Sequence, residues 1–231
     1  MFLDDRGSVG AFERLFGAAL IANAGSEIYA GVWHVHTGRF YPWRHLGILP
    51  LHPPAILALE WALTIGCGLL LALRKRTTLA WRIATPLLLF SVLQRFSNHG
   101  ALLFIVALFV SLSPPSDSSR EPNLGLVRAQ LVIVYVFSAL NKLTHGFTRG
   151  TSLHVLLGLG APLAPAASWA VVAVELVIPI ALVMRPRAGL ALVIAMHLAF
   201  AALIPGVASF GLVMTAMATL FLDVTPRRER G

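Results

Sequence analysis

Long apolar runs, broken by short polar or basic stretches, dominate the 231-residue chain. A bilayer core near 30 Å asks for about 20 apolar residues per helix, and eight segments come near that length. The first, about Val9 to Ala30, carries Glu13, Arg14, Asn23 and Glu27 and is too polar to face lipid all round. A loop from Val32 to Pro54 follows, with Trp33, Phe40, Tyr41 and Trp43 suited to an interfacial belt. Its end, PLHPP, suits a turn into the next helix, because proline is tolerated in a first turn.

The second segment, Pro54 to Leu73, carries Glu60 and stops at Arg74, Lys75 and Arg76. The third runs from about Thr78 to Leu93 with Pro86 inside it, and QRFSNHG follows. The fourth, Ala101 to Leu112, is short for a span, which predicts a helix start back at Asn98 or His99. SPPSDSSREPNLG is a polar loop. The fifth, Val127 to Gly150, is the central membrane-length helix. SLHVLLGLGAPLAPAAS is interrupted by Gly158, Gly160, Pro162 and Pro165 and reads as a short interfacial or re-entrant element. The sixth, Ser168 to Met184, holds Glu175 and Pro179; the seventh, Ala188 to Pro205, holds His197; the eighth, Gly206 to Leu222, is uniformly apolar.

This pattern predicts an all-α, polytopic membrane bundle of about eight transmembrane helices plus the one short element, in a single transmembrane domain over residues 1–231. Composition agrees, with 57% apolar and 12% charged residues. The net charge of +8 sits in clusters beside apolar segments rather than along one helix face, so it signals topology and not a nucleic-acid partner. With the N-terminus cytoplasmic and eight spans alternating, Arg6, Arg74 to Arg76, Arg120, Arg185, Arg187 and the tail arginines fall inside. Arg14, Arg82 and Arg128 lie at inner helix ends, while Arg39, Arg44, Arg95, Lys142 and Arg149 fall outside. Both termini are then cytoplasmic. Cys67 is the single cysteine, so no intrachain disulfide forms. The start, MFLDDRGSVG, lacks the basic and apolar parts of a leader, which points to a bacterial inner membrane.

Candidate chemistry centres on the fifth segment. Arg128, Tyr135, Ser138 and Lys142 are spaced 7, 3 and 4 apart and share one helical face. An ionisable group at membrane depth costs at least about 2.5 kcal/mol unless it finds a partner, so Lys142 is a candidate for function; a lysine at a helix end also snorkels. In the alternating topology Glu27, Glu60, Asn98, His99, Lys142, Glu175 and His197 gather in the outer half. There Glu60 and Glu175 serve either as ion-pair partners of Arg95 or Lys142 or directly in chemistry. A desolvated Lys142 supplies a base for an acidic hydroxyl such as a hydroquinone arriving from lipid, and His99 with Asn98 orients or stabilises an oxyanion. His34, His36, His45 and His52 occupy a Pro- and Gly-broken loop without a nearby Cys or paired carboxylate, and no metal is predicted. No phosphate loop, dinucleotide fingerprint or Ser-His-Asp order is present.

These residues resemble a family. VRAQLVIVYVFSALNKLTHGFTRG is similar to a stretch in the transmembrane core of vitamin K-dependent gamma-glutamyl carboxylase and its bacterial relatives, the HTTM (horizontally transferred transmembrane) domain proteins. Arg128, Gln130, Tyr135, Lys142, Leu143 and Gly150 fall on that stretch. SNHGALLFIVALF resembles the family's Asn-His helix opening at Asn98 and His99. VELVIPIALVMRPRAGLALVIAMHLAF resembles its later helix pair, with Glu175, Arg185, Arg187 and His197, while FERLFG and GRFYPWRHLGILPLHPP look like its first helix and the following loop.

The resemblance implies Lys142 as the base for a vitamin K-like hydroquinone reacting with O2, and His99 as a carbanion-stabilising residue. It places Asn98, Arg128, Gln130, Tyr135, Glu175 and His197 in a substrate pocket, to which the helical face and the outer-half cluster add Ser138 and Glu60. The family's large lumenal region has no counterpart after the last segment, Asn141 stands where the carboxylase has a second lysine, and Phe147 where it has tryptophan. Those departures weigh against peptide carboxylation and leave quinol-dependent, epoxidase-like oxygenation. The alternative is a non-catalytic membrane protein that binds a lipid or quinone, or assists maturation of a secreted peptide.

Overall fold

The structure, a computed structural model, describes residues 7–37, 54–94, 97–112, 121–203 and 207–223, and among these every regular element is helical. The helices are α1 (Gly7–Thr37), α2 (Pro54–Ala72), α3 (Thr77–Gln94), α4 (Asn98–Ser111), α5 (Glu121–Thr144), α6 (Thr151–Leu157), α7 (Leu163–Met184), α8 (Pro186–Leu203) and α9 (Ala208–Thr219). Short 3-10 turns cover Phe147–Arg149 and Leu220–Asp223.

Helix starts follow local chemistry. Pro54, Pro122, Pro165 and Pro186 each sit in the first turn of a helix, where a missing N–H costs nothing. Ser97 caps α4: its backbone is extended and its Oγ accepts from the Gly100 N–H at 3.1 Å, which sets the start at Asn98, as the short fourth segment requires. Elsewhere the ends move. α1 continues through Thr37, six residues into the expected loop, and the rest of that loop up to Pro54 lies outside the described residues. α5 begins at Glu121 and ends at Thr144, about six residues earlier at each end than expected, because Gly146 and Gly150 take left-handed backbone and stop it. The segment after Gly150 forms only the seven-residue α6, a short element as expected.

The expectation of eight spans is not supported. Among the described residues four helices are long and apolar enough to cross a membrane, over Ala55–Ala72, Leu124–Thr144, Leu163–Met184 and Pro186–Leu203. α1 carries Glu13, Arg14 and Glu27; α3 opens on two threonines with Arg82 and closes on Gln94. α4 and α9 rise only about 21 and 18 Å at 1.5 Å per residue. The expected cytoplasmic termini fall outside the described residues.

The core centres on α9 rather than on α5, although Val127, Leu131 and Tyr135 of α5 belong to it. α9 is buried along most of its length, through Ser209, Gly211, Val213, Met214 and Ala216 to Thr219, and packs against α1, α4, α5 and α8. The four membrane-length helices are each only one-third buried or less, and show Ile133, Phe137, Val177, Ile180, Val183 and Leu198 outward. Lipid is as apolar as a core, so such faces remain favourable only in a membrane.

α2 and α9 each run antiparallel to α1. Gly17 and Gly68 pack α1 on α2 so closely that an added Cβ on Gly17 would stand 2.4 Å from the Gly68 carbonyl oxygen. The Arg74 guanidinium at the foot of α2 pairs with the buried Glu13 near the start of α1 at 3.3 Å. Thr219 donates to the Ser8 carbonyl at 3.5 Å, and Arg128 Nε to the Leu220 carbonyl at 2.9 Å. The starts of α1 and α5 and the ends of α2 and α9 therefore share one end of the bundle.

Candidate functional site

α5 presents Tyr135, Ser138 and Lys142 along one side, which packs on α7 and reaches α8 through Tyr135. Their spacing of three and four residues stacks them on one face. The outward positions between them, Val136, Phe137 and Leu140, are exposed apolar side chains. α7 answers with Glu175, 3% exposed, on a buried stripe with Val172, Ile178 and Leu182. α8 answers with His197, 4% exposed, one turn beyond Val193.

The polar groups meet in a defined order. Lys142 Nζ donates to Glu175 Oε1 at 2.7 Å, to Glu175 Oε2 at 2.9 Å and to Ser138 Oγ at 2.6 Å. Ser138 Oγ in turn donates to Glu175 Oε1 at 3.1 Å. Three N–H donors thus meet three acceptors, and the carboxylate is held by two residues of α5. Tyr135 OH and His197 Nε2 are 3.0 Å apart, and the Glu175 charge also reaches the Tyr135 hydroxyl. On its far side His197 Nδ1 is buried without a hydrogen-bond partner among the described residues, beside Phe210 and Phe200, whose ring centroids lie 5.5 and 6.3 Å away. The α8–α9 contact is tight here: a Cβ on Gly211 would come within 3.0 Å of His197 Cβ. Above the amine, the Phe147 ring sits 5.7 Å from Lys142 Nζ, placed by the 3-10 turn after α5.

Of the residues expected in one pocket, hydrogen bonds join Ser138 and Lys142 to Glu175 and Tyr135 to His197, and Arg128 and Gln130 lie apart from them along α5. Arg128 shares their helical face but lies 14 residues earlier, about 21 Å along the axis, and is engaged at the opposite end. Gln130 lies about 18 Å from Lys142 on the same measure. Asn98 is exposed at the start of α4. His99 has no hydrogen bond to Lys142 among the described residues; burial, and to a lesser degree the Glu27 charge, acts on its imidazole. Glu27 is itself gripped by Asn23 Nδ2 at 3.2 Å and Trp61 Nε1 at 2.9 Å. Glu60 is buried on α2, and its backbone carbonyl accepts from Thr64.

The expectation of a neutral, desolvated lysine base meets a salt bridge instead, one of the ion pairs foreseen for Glu175. Its half-buried ammonium is closed over by a carboxylate, and the same contact decides between the two partners foreseen for Glu175. The Glu27–Trp61 contact was not foreseen, although a carboxylate and an indole N–H on adjacent apolar helices are the kind of pair that burial forces together. Among the described residues no group of three His, Cys, Asp or Glu side chains is placed to hold a metal ion; His45 and His52 and the side chains of His34 and His36 lie outside them. Comparison with known proteins finds no match to this chain among protein-family models, curated proteins or solved structures.

Proposed function

We propose that this chain is an integral membrane protein that binds a lipid-soluble compound bearing an acidic hydroxyl, of the quinol type, at the Lys142–Glu175 site and removes its proton. The observation that carries the reading is the Lys142–Ser138–Glu175 cluster, inside a three-helix wall otherwise made of apolar side chains, with Tyr135 and His197 beside it. A charge pair in that setting is costly and is retained by structures that use it.

In this reading the roles divide differently from the expectation that made Lys142 the base. A substrate hydroxyl that displaces Ser138 Oγ from the pair gives its proton to a Glu175 oxygen, while the Lys142 ammonium stays to face the new oxyanion. Tyr135 and His197 then offer the next proton-carrying groups. In the carboxylase-like version of this reading the deprotonated quinol reacts with O2, and the lysine's electrostatic role is the larger one. The basic end of the bundle faces the cytoplasm, both termini lie on that side, α1, α3, α4 and α9 complete the bundle within the bilayer, and the membrane is the bacterial inner membrane.

A second reading has its own support. All three ammonium donors are already satisfied, which is what a purely structural clasp between α5 and α7 requires, and such a protein binds a lipid or quinone without chemistry. The test uses the full chain in mild detergent with a short-chain quinol, following oxygen uptake and quinone formation. Turnover in the unaltered protein, lost in Lys142→Met and Glu175→Gln variants that keep their helicity, supports the enzyme. Equal rates in all three, or no turnover in any, ends it, and mass spectrometry of copurified lipid then asks whether a quinone is retained at all.

A further inference from the structure

We infer that the flank built by the first turns of α1 and the α2–α3 turn binds the headgroups of anionic phospholipids. Arg14, Lys75, Arg76 and Arg82 are all exposed there. Two ring contacts hold α3 against α1 at this level of the bundle: Trp81 stacks on Phe12 with centroids 5.9 Å apart and tilts against Phe16 at 4.7 Å. Arg82 follows the tryptophan, while Arg14, two residues from each phenylalanine, leaves α1 at the same level on the face turned away from α3. The carboxylate of this flank, Glu13, is buried and bound to Arg74, which itself lies against Gly10. Glu27 and Glu60 lie toward the other end and Glu175 at mid-helix, so the four exposed cations face outward without an acid among the described side chains.

The backbone of the turn adds a second observation. Arg74 and Arg76 hold φ of 54° and 47°, a left-handed conformation that glycine adopts at least cost, yet the chain places arginine at both. What surrounds the cations selects a lipid over a free anion. Leu69, Leu73 and Leu79 are exposed on the same two helices beside the basic turn, so a ligand with a phosphate head and acyl chains meets both kinds of surface. The inference rests on the membrane setting and is independent of the chemistry proposed at Lys142.

The experiment takes the full chain, purified in mild detergent, into mixed micelles holding phosphatidylglycerol and phosphatidylcholine in equal amounts. The lipid retained after gel filtration is then quantified. Phosphatidylglycerol is expected in excess, and the excess should fall by about fivefold for each charge removed in K75Q/R76Q and in R14Q/R82Q. Equal retention of the two lipids overturns the inference, as does an excess that survives both variants or that vanishes instead in R185Q/R187Q. Stripping of phosphatidylglycerol by inorganic phosphate at matched concentration assigns the flank to a free anion and also overturns it. Should a variant lose helicity, the unaltered chain decides: its selectivity must fade in about 1 M salt, where screening acts within about 3 Å, and persistence there is refuting.

Discussion

Removing Lys142 should cost this protein more than removing Glu175, although the two share one salt bridge. The side chains differ in depth: Glu175 is 4% exposed and Lys142 22%. In Lys142→Met the glutamate keeps one hydrogen bond, from Ser138, and has no route to water, so the loss should fall in the range for an orphaned buried charge, about 3–5 kcal/mol. In Glu175→Gln the lysine still reaches Ser138 and extends its amine toward the helix end, so the loss should be nearer that of a charged hydrogen bond, about 1.5–3 kcal/mol. The double variant Lys142→Met/Glu175→Gln removes both charges and should be more stable than Lys142→Met alone, giving a coupling of at least about 2 kcal/mol. Reversible unfolding in mixed micelles, followed by far-ultraviolet circular dichroism, measures all four proteins. Additive losses, or a Glu175→Gln loss equal to or above that of Lys142→Met, would refute the reasoning, because the pair would then not be a desolvated one.

Three further outcomes test the packing around the site and the first helices. Tyr135→Phe leaves His197 without its partner on Nε2 as well as Nδ1 and should destabilise by about 1–3 kcal/mol, with most of that loss absent when His197 is already leucine; a double-mutant cycle in the same unfolding assay reads it. Gly17→Ala drives a methyl against the backbone of α2 at Gly68 and Ala72 and should cost at least about 1–3 kcal/mol, whereas Gly25→Ala, with open space around it, should be neutral or slightly stabilising; thermal unfolding separates them. Trp61→Phe deletes the indole donor to Glu27 and should cost about 1.5–3 kcal/mol, seen as a lower melting temperature with unchanged helicity.

The seam on α5 was legible because polar side chains at helical spacing stand out in an apolar run: Tyr135, Ser138 and Lys142 do share a face, and Glu175 and His197 do meet it. Arg128 shows the limit of that signal, since a common face says nothing about separation along the axis. Helix ends were legible where a residue dictates them, as at Ser97 or Pro54, and illegible at α1, whose last turns carry no stop before Thr37. The number of spans was overread for a physical reason: apolar runs of 12 to 18 residues look alike whether they line a core or meet lipid. α9 is the clearest instance, because nothing in its uniform apolarity announces that other helices, and not lipid, surround it.

That α9 fills the middle of the bundle carries a consequence for biosynthesis. The chain leaves the ribosome from its first helix onward, so α1, α4, α5 and α8 are all made before the piece they lean on exists. Early intermediates must hold a gap where Met214 and Met217 later fit, and a nascent chain halted before Ala208 is expected to stay open to chaperones and proteases however well its hairpins have inserted.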